Sequence, residues 1–123
     1  MKDLEQARLV LEVEAQCILA ARDRLGDSFP KAVELIVSTV KGGGKVIVTG
    51  VGKSGKIAAK VAATLASTGT PALFLHPTEG IHGDLGVVSD RDALLAFSYS
   101  GSSAEVLNLI PTLKKRGTKI ISI

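Results

Sequence analysis

The apolar residues Leu4, Ala7, Leu11, Ile18, Ala21 and Leu25 fall mostly three, four or seven positions apart, the spacing of one face of an amphipathic helix. Gly26 ends the pattern. Ser28-Phe29-Pro30 restarts it, with Pro early in a second helix whose stripe is Val33, Ile36, Val37 and Val40, and Gly42-Gly43-Gly44 stops it. The period then changes. Lys45–Thr49 is a short β-branched run followed by Gly50. Ile57, Ala58, Val61, Ala62 and Leu65 mark a helix that ends near Gly69, and Ala72–Leu75 reads as the second strand. Ala93–Phe97 and Lys119–Ile123 are the third and fourth strands. The helix between them, Ser103 to Arg116, has Val106, Leu107, Leu109, Ile110 and Leu113 as its buried side.

Near-continuous apolar strands alternating with helices predict an α/β fold, a parallel sheet covered on both faces. Two helices over 1–44 lead into an α/β core over 45–123. Pro77 to Asp92 breaks the rhythm, with three Gly and no sustained period; long connections of this kind are often functional. The chain stops at Ile123, inside an apolar strand, which reads as a domain interrupted at its C-terminal end.

A length of 123 residues with 46% hydrophobic and 22% charged residues fits one domain or part of one. Lys2, Asp3, Glu5, Arg8, Glu12 and Glu14 interrupt the first twenty positions, so neither a signal peptide nor a membrane span is expected there and the cytoplasm is the default. Cys17 is the only cysteine; that excludes an internal disulfide and a zinc site built on several thiolates. Cations gather at Lys53, Lys56 and Lys60 and again at Lys114, Lys115, Arg116 and Lys119. With three Phe, one Tyr and no Trp, base stacking has few partners, and nucleic acid is not expected. The second cluster reads as a solvated helix end complementing the helix dipole.

Gly50-Val51-Gly52-Lys53-Ser54-Gly55 follows a strand and opens a helix, so backbone and helix N-terminus can approach an anion. It fits G-x-G-x-x-G. A dinucleotide site also wants an acid near the end of the second strand, but that strand runs into Leu75-His76-Pro77 and Glu79 is the nearest acid. A Walker A loop wants Gly where Ile47 stands. What remains is a Gly-rich turn carrying Lys53 and Ser54, equally readable as a tight strand-to-helix turn with a solvated lysine.

Ser98-Tyr99-Ser100-Gly101-Ser102-Ser103 occupies the equivalent place after the third strand. Hydroxyls, a Gly and the free N–H groups of the next helix can together hold a phosphate without formal charge. Ser102 and Glu105 also have the spacing of a capping box; capping accounts for these two residues but not for Ser98 and Ser100. His76, Glu79, His82 and Asp84 match no helical metal-ligand spacing, so no metal and no cofactor is expected. Residue physics alone leaves His82 unassigned.

From about Val46 onward the chain resembles the sugar isomerase (SIS) domain and, more narrowly, the arabinose-5-phosphate isomerase family. The resemblance rests on Val48-Thr49-Gly50-Val51-Gly52-Lys53-Ser54-Gly55, on Ala62-Ala63-Thr64-Leu65-Ala66-Ser67-Thr68-Gly69-Thr70-Pro71 and on Ser98-Tyr99-Ser100-Gly101-Ser102-Ser103-Ala104-Glu105. The most specific stretch is His76-Pro77-Thr78-Glu79-Gly80-Ile81-His82-Gly83-Asp84-Leu85-Gly86. It implies a flavodoxin-like three-layer sandwich with a five-stranded parallel sheet, in which Ser54, Ser98, Ser100 and Ser103 bind phosphate. Lys53, His82 and Glu105 take part in substrate binding or acid–base catalysis. The implied reaction interconverts D-arabinose 5-phosphate and D-ribulose 5-phosphate, feeding synthesis of the eight-carbon acid sugar of lipopolysaccharide and capsule.

The leading helices and the sheet edge left at Ile123 suggest that copies associate, as a dimer or tetramer; the resemblance implies a sugar-phosphate substrate, and no membrane or nucleic-acid partner is expected. Family members commonly carry Glu at Ser102 and His at Lys56. They continue with a further strand, a second catalytic Glu, a His and paired CBS modules. As a 123-residue molecule the chain is therefore expected to bind weakly or not at all and to turn over little. SIS domains that serve as sugar-phosphate sensors are the alternative, since these keep the serine loop without needing the acid–base set.

Overall fold

Four short aliphatic runs pair into one parallel sheet, and their side chains alternate between two cores. The computed structural model describes residues 2–123, with Asp84 described by its backbone alone. The strands are β1 (Val46–Thr49), β2 (Ala72–Phe74), β3 (Ala93–Ala96) and β4 (Lys119–Ser122), in the order β2-β1-β3-β4. Val46 pairs with Ala72 on one side and Ala93 on the other, and Ala93 pairs with Lys119.

Ile47, Leu94 and Ala96 point to one face and join Leu75, Val88, Val106, Leu109 and Leu113. Val46, Val48 and Leu95 point to the other and join Ala58 and Ala62. Burial on both faces is why these strands carry continuous apolar runs. Helix α3 (Gly52–Ser67) supplies the second core, and α5 (Ala104–Lys115) supplies the first together with the connection after β2. The three-layer α/β architecture is as expected.

Helix α1 (Lys2–Arg24) has no buried residue, and α2 (Ser28–Lys41) buries only Thr39. Two compact units divide within α2, Met1–Ala32 and Val33–Ile123. In the second unit Ile36 packs against the Val46–Val48 core.

Two local details differ from the sequence reading. The irregular stretch contains a short helix, α4 (Pro77–Ile81), and a 3-10 helix, Asp84–Val87. Leu107 is half exposed rather than buried. It lies one turn before Pro111, which has no N–H to donate to the Leu107 carbonyl.

Candidate functional site

The chain leaves β1 toward β2 on one side and returns to place β3 on the other. Connections leave β1 and β3 in opposite directions, and the carboxyl ends of these neighbouring strands open a crevice, the usual ligand position of an open α/β sheet. Both loops singled out by sequence stand there. Phe97 N–H donates to the Thr49 carbonyl at 2.9 Å and holds the two strand ends in register, and Ser98 N–H ties the second loop to the Ile123 carbonyl beyond β4, also at 2.9 Å.

In the first loop Gly52 adopts φ +57°, a conformation that favours glycine. A β-carbon on Gly55 would stand 2.7 Å from the Gly50 carbonyl oxygen, so the turn folds against α3 only because position 55 has none. Val51 precedes α3 in an extended conformation and no side chain caps the helix.

The serine loop is bonded to itself. Ser98 Oγ accepts from Gly101 N–H at 2.9 Å and lies 3.4 Å from Ser103 Oγ. Ser100 Oγ accepts from the Ser102 N–H at 3.2 Å and from the Ser102 hydroxyl at 3.0 Å. Gly101, at φ +67°, makes the bend. The expected capping box does not form. Ser103, not Ser102, is the N-cap of α5, and it makes no side-chain cap bond. The Ser102 hydroxyl turns to Ser100 instead, which leaves the first-turn N–H groups of α5 uncapped by side chains. Helix α4 is different, because His76 Nδ1 accepts from Thr78 N–H at 3.3 Å. The two helices that start at the crevice thus keep donors which an anion can take.

Ser54 and Ser98 line one cleft of about 340 Å³ with Ile57, Phe97, Tyr99 and Ile123. Ser98 and Ser103 also line a smaller hollow between the loop and the start of α5. The structure therefore joins Ser54, Ser98 and Ser103 through shared walls, and Ser100 through the bonds of the loop. Lys53, His82 and Glu105 lie exposed on α3, at the end of α4 and in the first turn of α5. Among the described residues no side-chain hydrogen bond or ion pair links these three to the serines or to one another.

His76 entered the sequence reading only among possible metal ligands. Its half-buried ring stands edge-on to Phe74, with centroids 6.4 Å apart, and lines a cleft of about 380 Å³ with Gly50, Gly52, Gly55 and Lys56. Its place directly after β2 was the available signal. Among the described residues no cluster of three or more His, Cys, Asp or Glu side chains would hold a metal. The side chain of Asp84 lies outside the described residues.

Residues 41–123 match the SIS domain model. The chain belongs to the SIS domain family. It is 44% identical over 120 residues to the arabinose 5-phosphate isomerase KdsD of Pseudomonas aeruginosa, covering 98% of this chain and 36% of that protein. A structure from E. coli CFT073 solved with arabinose 5-phosphate has 41% identity and a TM-score of 0.88, covering 99% of this chain and 65% of that one. A Bacteroides fragilis structure, described as a phosphosugar isomerase involved in capsule formation, has 40% identity and a TM-score of 0.90, covering 97% and 62%. This SIS domain therefore spans about a third of the length of the curated relative. No helix among its described residues is long and apolar enough to cross a membrane.

Proposed function

We propose that this SIS domain binds a sugar phosphate at the crevice between β1 and β3, as the substrate-binding part of an arabinose 5-phosphate isomerase. One observation carries the reading: two helix N-termini without side-chain caps open beside the same crevice, which is lined by serine hydroxyls. Ser54, Ser98, Ser100 and Ser103 hold the phosphate. Amide and hydroxyl donors match its oxygens without placing a cation against it.

The aldose must open its ring and lose the C2 proton, giving an enediolate that regains a proton at C1. No electrons leave the substrate. A carboxylate at Glu105 moves the proton, Lys53 stabilises the developing oxyanion, and His82 serves the hydroxyl protons. The product, D-ribulose 5-phosphate, is the ketose of the same composition, and run toward the aldose the reaction feeds the acid sugar of lipopolysaccharide and capsule.

Residues 1–44 act as leading helices and 45–123 as the α/β core. Copies associate, a reading supported by Leu4, Leu11, Ile18 and Leu25, all exposed on or just after α1, and the cytoplasm is their proposed location. The test is to incubate the chain with arabinose 5-phosphate, measure binding by calorimetry and follow ribulose 5-phosphate by NMR. Binding with conversion is expected in the full-length parent. Binding without conversion there would favour a sensor, and no binding would remove the reading altogether.

A further inference from the structure

Arg116 closes α5 as its C-cap, where a solvated cation serving the helix dipole was expected. It does more than that. Its Nη1 donates to the Leu85 carbonyl at 2.6 Å and to the Val88 carbonyl at 3.3 Å, at the end of the 3-10 helix. We propose that Arg116 is a positioning residue: it clamps the 3-10 helix to the end of α5 and so sets where His82 stands.

The segment from Pro77 to Val88 rests on α5 at three places. Upstream, Gly80 lies so close that a β-carbon there would meet Leu109 Cδ1 at 3.0 Å. Downstream, Val88 is buried in the core with Leu109 and Leu113, and Leu85 packs against it. The third attachment is the Arg116 clamp. His82 and Gly83 fall between the upstream and downstream attachments, and both are exposed. Nothing among the described residues bonds the His82 side chain, so its place depends on the backbone to either side. On the upstream side that backbone is held by His82 N–H donating to Thr78 and Glu79 carbonyls. On the downstream side Gly83 has φ +138°, a conformation open to glycine and costly for other residues. The next fixed point is the carbonyl of Leu85.

The same helix thus presents Ser103 and Glu105 at its N-terminal end and grips the His82 segment at its C-terminal end, about 18 Å away for a helix of twelve residues. A single terminal nitrogen of Arg116, Nη1, takes both carbonyls, which belong to the same turn, and a lysine ammonium can bond the same pair.

The functional weight of the clamp rests on the proposed proton-handling role of His82, so the experiment separates the two. In Arg116→Ala, amide exchange at Gly86 and Val88 is expected to rise on the order of tenfold, with Leu94 and Leu109 unchanged, and the His82 ring signal shifts in the NMR spectrum. Arg116→Lys restores most of both. In the full-length parent, kcat falls roughly tenfold in Arg116→Ala with KM held within about twofold. His82→Asn is the control. If it keeps normal turnover, the role given to His82 fails, while exchange and the ring signal still decide the clamp. Unchanged exchange and ring signal in Arg116→Ala overturn the proposal, as does faster exchange throughout the core. Unchanged kcat in Arg116→Ala, where His82→Asn abolishes turnover, also overturns it.

Discussion

The Asp92 carboxylate takes both donors of Lys45, the backbone N–H at 2.9 Å and the ammonium at 2.7 Å. Ser89 N–H adds a third bond at 2.7 Å. Asp92 sits just before β3 and Lys45 just before β1, so this pair ties the amino ends of the two strands whose carboxyl ends carry the site. Burial pushes the Asp92 carboxyl up, but the Lys45 side chain and the backbone donors outweigh it and hold the group below the ordinary 3.8. A lowered folded value means the stabilisation is fully present above about pH 4 and is lost as pH falls through the folded value. Asp92→Asn is expected to cost about 2 kcal/mol near neutrality, less than a fully buried pair because Lys45 is partly exposed. Urea unfolding at pH 7 and pH 3 checks this, since the gap between variant and parent narrows at the lower pH.

Ser103→Ala separates binding from capping. The hydroxyl makes no cap bond and only a 3.4 Å approach to Ser98, so stability changes by less than about 0.5 kcal/mol. Losing a donor to a phosphate dianion weakens arabinose 5-phosphate by at least about tenfold. Calorimetry alongside thermal unfolding reads both quantities.

Gly55→Ala drives a methyl group into the Gly50 carbonyl. The Gly50 atoms it meets are backbone and cannot swing away. A loss of about 2 kcal/mol is expected, with weaker phosphate binding because the turn carrying Ser54 must move. An unchanged unfolding midpoint would show that the turn yields freely.

Glu105→Gln leaves the helix intact, since Glu105 is exposed and makes no return bond to a capping residue. Stability stays within about 0.5 kcal/mol. Turnover in the full-length parent falls by about a hundredfold or more while affinity holds. A variant of full activity would assign the proton transfer elsewhere.

The strands, α3 and α5 were legible because burial writes itself into apolar patterns such as Val46–Val48 and Val106 with Leu109, whereas α1 was legible from the spacing of apolar positions that are not buried. The loops after β1 and β3 were singled out for another reason: a Gly or Ser cluster directly after a strand can face an anion, although the first was equally readable as a tight strand-to-helix turn. Contacts between distant residues left no such mark. The 3-10 helix depends on Arg116, and the approach of α4 depends on Gly80 meeting Leu109, so no local period announced either. The capping box at Ser102 and Glu105 was locally plausible and lost to a competitor two residues away, the Ser100 hydroxyl. Lys45 and Asp92 are 47 residues apart and could be matched only in space.

That separation also bears on how the protein is made. β1 and β2 can pair once α3 has closed the connection between them, whereas the crevice exists only once β3 has come back from the still longer separation. A chain still on the ribosome, with β1, α3 and β2 formed and β3 unpaired, has one anion-facing turn and no counterpart. Sugar phosphate added during refolding should accordingly slow unfolding without speeding the first collapse, because it recognises only the finished pairing of the most distant neighbours.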